Sequence, residues 1–288
     1  MKEYSFKLTD EEMIKCFEDG SAFRSGLRME REEGITVAWM TDPEKAAAIL
    51  PPPLELLAPI ITCNVVNIDG TNFARVYQET YLAIPVTYNG VPGIYMPSLF
   101  LHGPGAYMGA IAGRDATGTP KKLADEISLL RRGDTAHAYV VKDDVHVIDI
   151  ELEFGEYNLP EAKEMFKANE ENGTVDGACY FIKTDLNVND QGGMEFRNTR
   201  LTTSTGSNQY FEWTPASAKV TLNPCENAPW SELEVVKVIG GGWSRFAIAN
   251  GACTELCKMN DKDVIPYLIK GLYDVDIINK PNRKYQMD

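Results

Sequence analysis

Hydrophobic residues in this chain recur mostly at every second position, and only short stretches carry the three- and four-residue spacing of a helix. The clearest alternation runs from Ile148 to Phe154. Ile148, Ile150, Leu152 and Phe154 take one side, and Asp149, Glu151 and Glu153 the other. A strand with one buried and one wet face reads this way. It is the return arm of a hairpin expected over Thr135 to Phe154, turning at Lys142-Asp143-Asp144. A second hairpin is expected where the aromatic and β-branched run Phe73 to Tyr88 meets Asn89-Gly90 and continues as Ile94 to Leu101. Ile35 to Met40 and the runs 178–187, 208–222 and 233–240 read as further strands.

Helical signals are fewer. Thr9 and Glu12 have capping-box spacing ahead of Met13, Ile14 and Phe17, with Gly20 closing the helix. Thr41-Asp42-Pro43-Glu44 opens a second helix, Lys45 to Leu50, which Pro51-Pro52-Pro53 stops. Residues 160–169 and 262–274 also read as helical, and Ala168 to Gly177 as a polar surface loop. Strands do not alternate with long helices, so a doubly wound parallel sheet is not expected. The expectation is an α+β, mainly antiparallel chain, a large sheet or barrel with peripheral helices. With no internal repeat and no low-complexity linker, residues 1–288 read as a single domain, with a flexible tail from Asn279.

Composition narrows the function classes. The chain carries 42 acidic against 28 basic residues, a formal net charge of −14. Such a surface repels phosphate backbones, so nucleic acid is not an expected partner. The polar Met1-Lys2-Glu3-Tyr4-Ser5 start lacks the apolar core of a signal peptide. No apolar run is long enough for a membrane span. Six scattered cysteines and three histidines show no metal spacing; Cys253 and Cys257, four apart, fit one face of a helix. These features point to a reduced, cytoplasmic protein with no metal site.

The candidate chemistry lies in residues 113–124, Gly-Arg-Asp-Ala-Thr-Gly-Thr-Pro-Lys-Lys-Leu-Ala. Adjacent ammonium groups at Lys121 and Lys122 would repel, each making the other easier to deprotonate. An unprotonated lysine adds to a carbonyl carbon. At an ordinary pKa near 10.4, only about one lysine in two thousand is free at pH 7, so the site must supply roughly 5–6 kcal/mol of destabilisation of the charge. The apolar run Ala110-Ile111-Ala112-Gly113 before the motif and Leu123-Ala124 after it favour burial over a solvated turn.

This motif, a Gly-Arg-acid turn followed by Pro-Lys-Lys-Leu, resembles the active-site segment of the acetoacetate decarboxylase-like superfamily. Acetoacetate decarboxylase is the established example of a lysine activated by desolvation or a neighbouring cation. The resemblance extends to Tyr77-Gln-Glu-Thr-Tyr-Leu-Ala-Ile-Pro-Val86, Asn89-Gly-Val-Pro-Gly93, Leu50-Pro-Pro-Pro-Leu54 and Phe211-Glu-Trp-Thr-Pro215. It implies a cone-like antiparallel β-barrel with flanking helices, a homo-oligomer and cofactor-free catalysis. It makes Lys121 the Schiff-base lysine, Lys122 its activating neighbour and Glu79 the active-site glutamate. On strand alternation Glu79 shares a face with Tyr77 and Tyr81, an amphipathic pocket wall.

Carried over position by position, the family's second carboxylate falls near Asn64, and its N-terminal arginine near Arg31, with Arg28 close. Gly118-Thr119 stands where the family usually carries a bulky apolar residue. Arg114 could meet a substrate carboxylate or pair structurally. The resulting expectation is a Schiff-base-forming lyase that decarboxylates a β-keto acid such as acetoacetate or a larger analogue. The alternatives are imine-based aldol or dehydratase chemistry on an oxo acid, or a non-catalytic small-molecule binding member of the fold.

The remaining motifs read as structure. Gly103-Pro104-Gly105 with Gly109 lacks dinucleotide-loop spacing and a long helix after it, and Gly240-Gly241-Gly242 reads as a tight turn or bulge. His146 alternates with the buried face of its strand and reads as a core histidine. Trp39, Trp213, Trp230 and Trp243 read as core or subunit contacts.

Overall fold

A computed structural model describes residues 9–19 and 26–275. The flexible tail expected from Asn279, and the helix-closing Gly20, lie outside the described residues. Helix α1 spans Asp10–Asp19 and opens with the expected capping box: the Thr9 amide donates to Glu12 Oε2 at 2.7 Å, and the Glu12 amide to Thr9 Oγ1 at 3.2 Å. Strand β1 (Arg28–Met40) runs into helix α2 (Pro43–Ile49), whose N-cap Asp42 accepts from the amides of Glu44 and Lys45.

A short β2 (Glu55–Leu56) precedes β3 (Ile60–Thr71), β4 (Tyr77–Tyr88) and β5 (Val91–Tyr95). The β4–β5 hairpin turns at Asn89 and Gly90, both at positive φ (50° and 77°), as two-residue hairpin turns of the primed type require. The expected strand 94–101 is two strands. Met96-Pro97-Ser98 interrupts it, and β6 (Leu99–His102) returns to pair with the first half of β4 while β5 pairs with the second half. Proline at 97 supplies no ladder N–H, which suits a break at that point.

Residues 106–117 correct the sequence reading. They form helix α3 (Ala106–Thr117), so Gly113-Arg114-Asp115 lies within a helix and not a turn. Its small residues buy close packing: a Cβ at Gly109 would come 3.1 Å from both the Tyr77 ring and Leu101. The helix ends at Gly118, which takes φ 84°; a Cβ there would lie 2.8 Å from Lys183 Cα.

A three-residue strand β7 (Lys121–Leu123) follows, then β8 (Glu126–Arg132), β9 (Thr135–Lys142) and β10 (Val145–Phe154). The β9–β10 turn is at Asp143 and Asp144, again both at positive φ. In β10 the pattern from Ile148 to Phe154 is as expected, but His146 is exposed. A bulge against β9 between His146 and Ile148 reverses the parity, and Val147 takes the buried position.

Helices α4 (Ala162–Met165) and α5 (Lys167–Glu170) occupy the stretch expected to be helical. The surface loop expected over 168–177 is mostly the end of α5 and the start of β11 (Thr174–Val188). Strands β12 (Met194–Leu222) and β13 (Lys237–Lys258) are long, and α6 (Asp261–Leu272) follows. Cys253 and Cys257 therefore sit in a strand and not on a helix. Gly240 (φ 149°) lies at a register slip opposite Ala38 and Trp39, so the glycine run is a bulge.

The sheet is ordered β11-β5-β4-β3-β1-β13-β12-β10-β9-β8, and β11 also pairs β12. The seven strands from β11 round to β12 thus close a ring, with β10, β9 and β8 extending from it. All ring pairings are antiparallel except β5–β11. This is the expected mainly antiparallel α+β architecture. One core joins the ring to the extension around Trp39, Trp230 and Trp243. A second, around Tyr77, Met29, Leu99 and Phe246, faces the interior of the ring.

Candidate active site

The parallel pairing of β7 with β6 decides where the two lysines go. Lys121 lies opposite Leu99 and Lys122 opposite Phe100. Successive side chains of a strand point to opposite faces. Leu99 belongs to the interior apolar cluster, whereas Phe100 packs edge-on against Trp230, ring centroids 5.0 Å apart. Lys121 therefore enters the ring and Lys122 leaves it.

Inside, Lys121 Nζ donates to Glu79 Oε2 at 2.6 Å, and both side chains are buried. The ammonium also lies 5.9 Å from the centroid of the Tyr77 ring. Room for the lysine chain comes from Gly113 on α3: a Cβ there would lie 2.8 Å from Lys121 Cε and 2.9 Å from Cδ. The pair borders a cavity of about 450 Å³. Its walls are largely apolar (Met29, Phe73, Ile94, Met96, Leu99, Phe181 among them), and Thr117 and Thr119 add hydroxyls on the side of the lysine. Among the described residues, Lys121 is the one cationic side chain that lines the cavity. The lining residues Val175, Asp176 and Gly177 are exposed, which places the mouth at the start of β11.

Lys122 is held elsewhere. Its Nζ donates to the Asn227 carbonyl at 3.0 Å and lies 3.3 Å from Asp274, which also accepts from Lys142 at 2.9 Å. Burial pushes the Lys122 amine down to about 8, against the opposing pull of Asp274. Burial would raise the Asp274 carboxyl, but the two lysines outweigh it and hold it low. This cluster ties β7, β9 and the segment after α6 together, on the far side of the strand from the cavity.

The other expected residues divide. Tyr77, Glu79 and Tyr81 do share the interior face, and Asn64 backs it from β3: its Nδ2 donates to the Tyr81 hydroxyl at 2.5 Å, and its Oδ1 accepts from Thr36. Asn64 thus orients a lining residue and is not itself at the wall. Arg31 is exposed and pairs with Asp69 on the outer face at 2.7 Å; Arg28 is exposed as well. Arg114 stacks 5.0 Å from the ring of Tyr273 and does not line the cavity.

The interior position on that part of β1 belongs instead to Glu32, 1% exposed. The register against β13 slips between Met29 and Glu32, so both face inward while Arg31 faces out. Sequence reasoning missed Glu32, although alternation extended backward from Thr36 through Gly34 reaches it.

The acetoacetate decarboxylase (ADC) family model matches residues 18–254. The chain is 31% identical over 275 residues to "CLA biosynthesis isomerase" of Lactiplantibacillus plantarum, a match covering 94% of this chain and 98% of that protein. It is 36% identical over 110 residues to acetoacetate decarboxylase of Paraburkholderia phytofirmans, where the match covers 37% of this chain and 41% of the relative. Among solved structures it resembles acetoacetate decarboxylase from Legionella pneumophila (TM-score 0.66, 21% identity, 81% of this chain and 87% of that one). It also resembles the enduracididine biosynthesis enzyme MppR complexed with the condensation product of pyruvate and imidazole 4-carboxaldehyde (TM-score 0.60, 12% identity, 88% and 95%). At these identities the structural likeness speaks to the fold.

Proposed function

The chain belongs to the acetoacetate decarboxylase family, and on that premise we propose that it is an imine-forming isomerase of an apolar oxo compound. The observation that carries the reading is a buried Lys121–Glu79 pair at 2.6 Å in an apolar cavity whose lining, among the described residues, offers no second cation. A small β-keto acid brings a carboxylate next to its ketone, and such a group wants an arginine or a second lysine beside the reacting lysine. Here Arg31 faces outward and Lys122 leaves on the other face. An apolar substrate whose only polar group is the carbonyl fits this wall better. The full-length similarity to a protein named as an isomerase favours the same reading.

In the proposed reaction the Lys121 ammonium first passes its proton to Glu79, and the freed amine adds to the ketone carbon. Glu79 returns that proton to the departing hydroxyl, so water leaves as the carbinolamine collapses to an iminium and the carboxylate is regenerated. For a β,γ-unsaturated ketone, a carboxylate then removes a proton from the α-carbon, and the C–H electron pair flows toward the nitrogen to give a dienamine. Returning that proton at the γ-carbon moves the double bond into conjugation, and hydrolysis restores ketone and lysine. Atoms and electrons balance without any cofactor. Glu79, within hydrogen-bond reach of Lys121, serves as the base and acid.

The second reading is decarboxylation of a β-keto acid, favoured by the local similarity to acetoacetate decarboxylases. The two separate in one experiment. The protein is incubated with an apolar β,γ-unsaturated ketone or with acetoacetate, borohydride is added, and the adduct is weighed. An adduct on Lys121 carrying the whole ketone, with conjugated product in solution, supports the isomerase. Release of carbon dioxide from acetoacetate, with an adduct lighter by that amount, would favour the lyase.

A further inference from the structure

Glu32 is a buried carboxyl group that the reaction above does not use. It is 1% exposed, and its Oε1 has no hydrogen-bond partner among the described residues. Across the sheet its neighbours are Ile68 on β3 and Phe246 on β13, both apolar and fully or almost fully buried. The titratable groups facing it come from three other strands: Tyr77, Glu79 and Tyr81 on β4, Lys121 on β7 and Tyr210 on β12. Glu32 does not line the cavity, so it can act on the substrate only through these groups.

Two carboxyl groups and one ammonium make an unequal set. Lys121 is already committed to Glu79 at 2.6 Å. A second carboxylate, lacking a full set of hydrogen bonds and held in apolar surroundings, costs several kcal/mol to bury. Neutralisation removes that cost. Burial and the nearby Glu79 push the Glu32 carboxyl well above the usual carboxylate range, with Lys121 pulling the other way.

We propose that Glu32 is a positioning residue for the Lys121–Glu79 pair: a neutral carboxylic acid that leaves a single negative charge facing Lys121. The inference rests on the imine reading of the site. With Glu32 neutral, Lys121 and Glu79 sum to zero charge, and the proton moves from ammonium to carboxylate without creating net charge. Once Glu32 ionises, the cluster carries a net negative charge. The Lys121 proton is then held by two carboxylates, and the amine is not released. Activity is therefore lost as pH rises through the Glu32 ionisation and is retained below it, and a permanently neutral side chain removes that limit.

Two measurements test this on the full chain. The first is an infrared difference spectrum of the free protein at pH 7, wild type minus Glu32→Gln, which should show the carbonyl band of a protonated carboxylic acid. The second is the pH profile of borohydride trapping on Lys121 with a medium-chain methyl ketone. Wild type should lose trapping at high pH by about tenfold per unit beyond the midpoint. Glu32→Gln should keep trapping and move that midpoint up by at least about one unit. If the Gln variant does not fold, Glu32→Met supplies a neutral side chain of similar length. No difference band, or the same alkaline midpoint in wild type and variant, overturns the proposal. A lack of adduct in both proteins at every pH counts instead against the imine chemistry, and the infrared band then decides the state of Glu32 by itself.

Discussion

Lys121 Nζ lies 2.6 Å from Glu79 Oε2, both side chains buried, at the edge of an apolar cavity. In such surroundings the carboxylate stabilises the ammonium at rest and, among the described residues, is the acceptor within hydrogen-bond reach that can take its proton when a carbonyl arrives. Replacing Glu79 by Gln keeps the shape and removes the acceptor. Turnover should fall by about 10²–10⁴, the usual worth of a positioned acid–base group, and the melting temperature should also fall, because the buried Lys121 ammonium loses its counter-charge. Steady-state kinetics beside a melting curve checks both halves.

Gly113 leaves the space through which the Lys121 chain runs. A methyl group there overlaps Cδ and Cε and must displace the amine from Glu79. Gly113→Ala should lower kcat by about 10²-fold, the effect of a misplacement near 1 Å, with intact secondary structure by circular dichroism.

Lys122 is on the other side of the strand, and its effect should be on stability rather than chemistry. Burial sets its amine near 8 in the folded protein, below the ordinary 10.5. The unfolded chain therefore binds more protons between those values. The penalty for the buried charge is present in full below pH 8 and is relieved as pH rises toward 10.5. Denaturant unfolding of wild type and Lys122→Met should show wild type gaining stability relative to the variant across that window. Trapping on Lys121 should persist in the variant; its loss would return Lys122 to the active site.

Arg31 faces solvent with Asp69. Arg31→Ala should leave kcat/KM near wild type and change stability by no more than about 1 kcal/mol, as for other exposed ion pairs. A large rise in KM for an acidic substrate would contradict the outward placement.

Much of this architecture was legible in the order of residues. Thr9 with Glu12, Asp42 with Pro43, and the Asn89-Gly90 and Asp143-Asp144 turns each carry local chemistry that tertiary packing had no reason to override. Helix α3 was not legible, because Gly105 and Gly109 gave no sign of a helix and Gly113 read as part of a turn. Their small size serves close approach to Arg75, Tyr77 and Lys121, and packing outweighs their poor helix propensity. The parity error at His146 came from a bulge, which no local pattern announces. Arg31 was placed by the family resemblance, whereas alternation back from Thr36 already points inward at Glu32. The dilysine hid its geometry for a related reason. Adjacent lysines suggest mutual repulsion, yet once 121–123 is a strand, alternation sends the two amines to opposite faces.

Which amine meets the carbonyl decides the chemistry of this site. Borohydride reduction in the presence of an apolar oxo compound, followed by peptide mass mapping, reads this directly. The expected result is one reduced adduct on Lys121, absent from Lys121→Ala and unaffected by Lys122→Met. An adduct on Lys122, or turnover that survives Lys121→Ala, would contradict it.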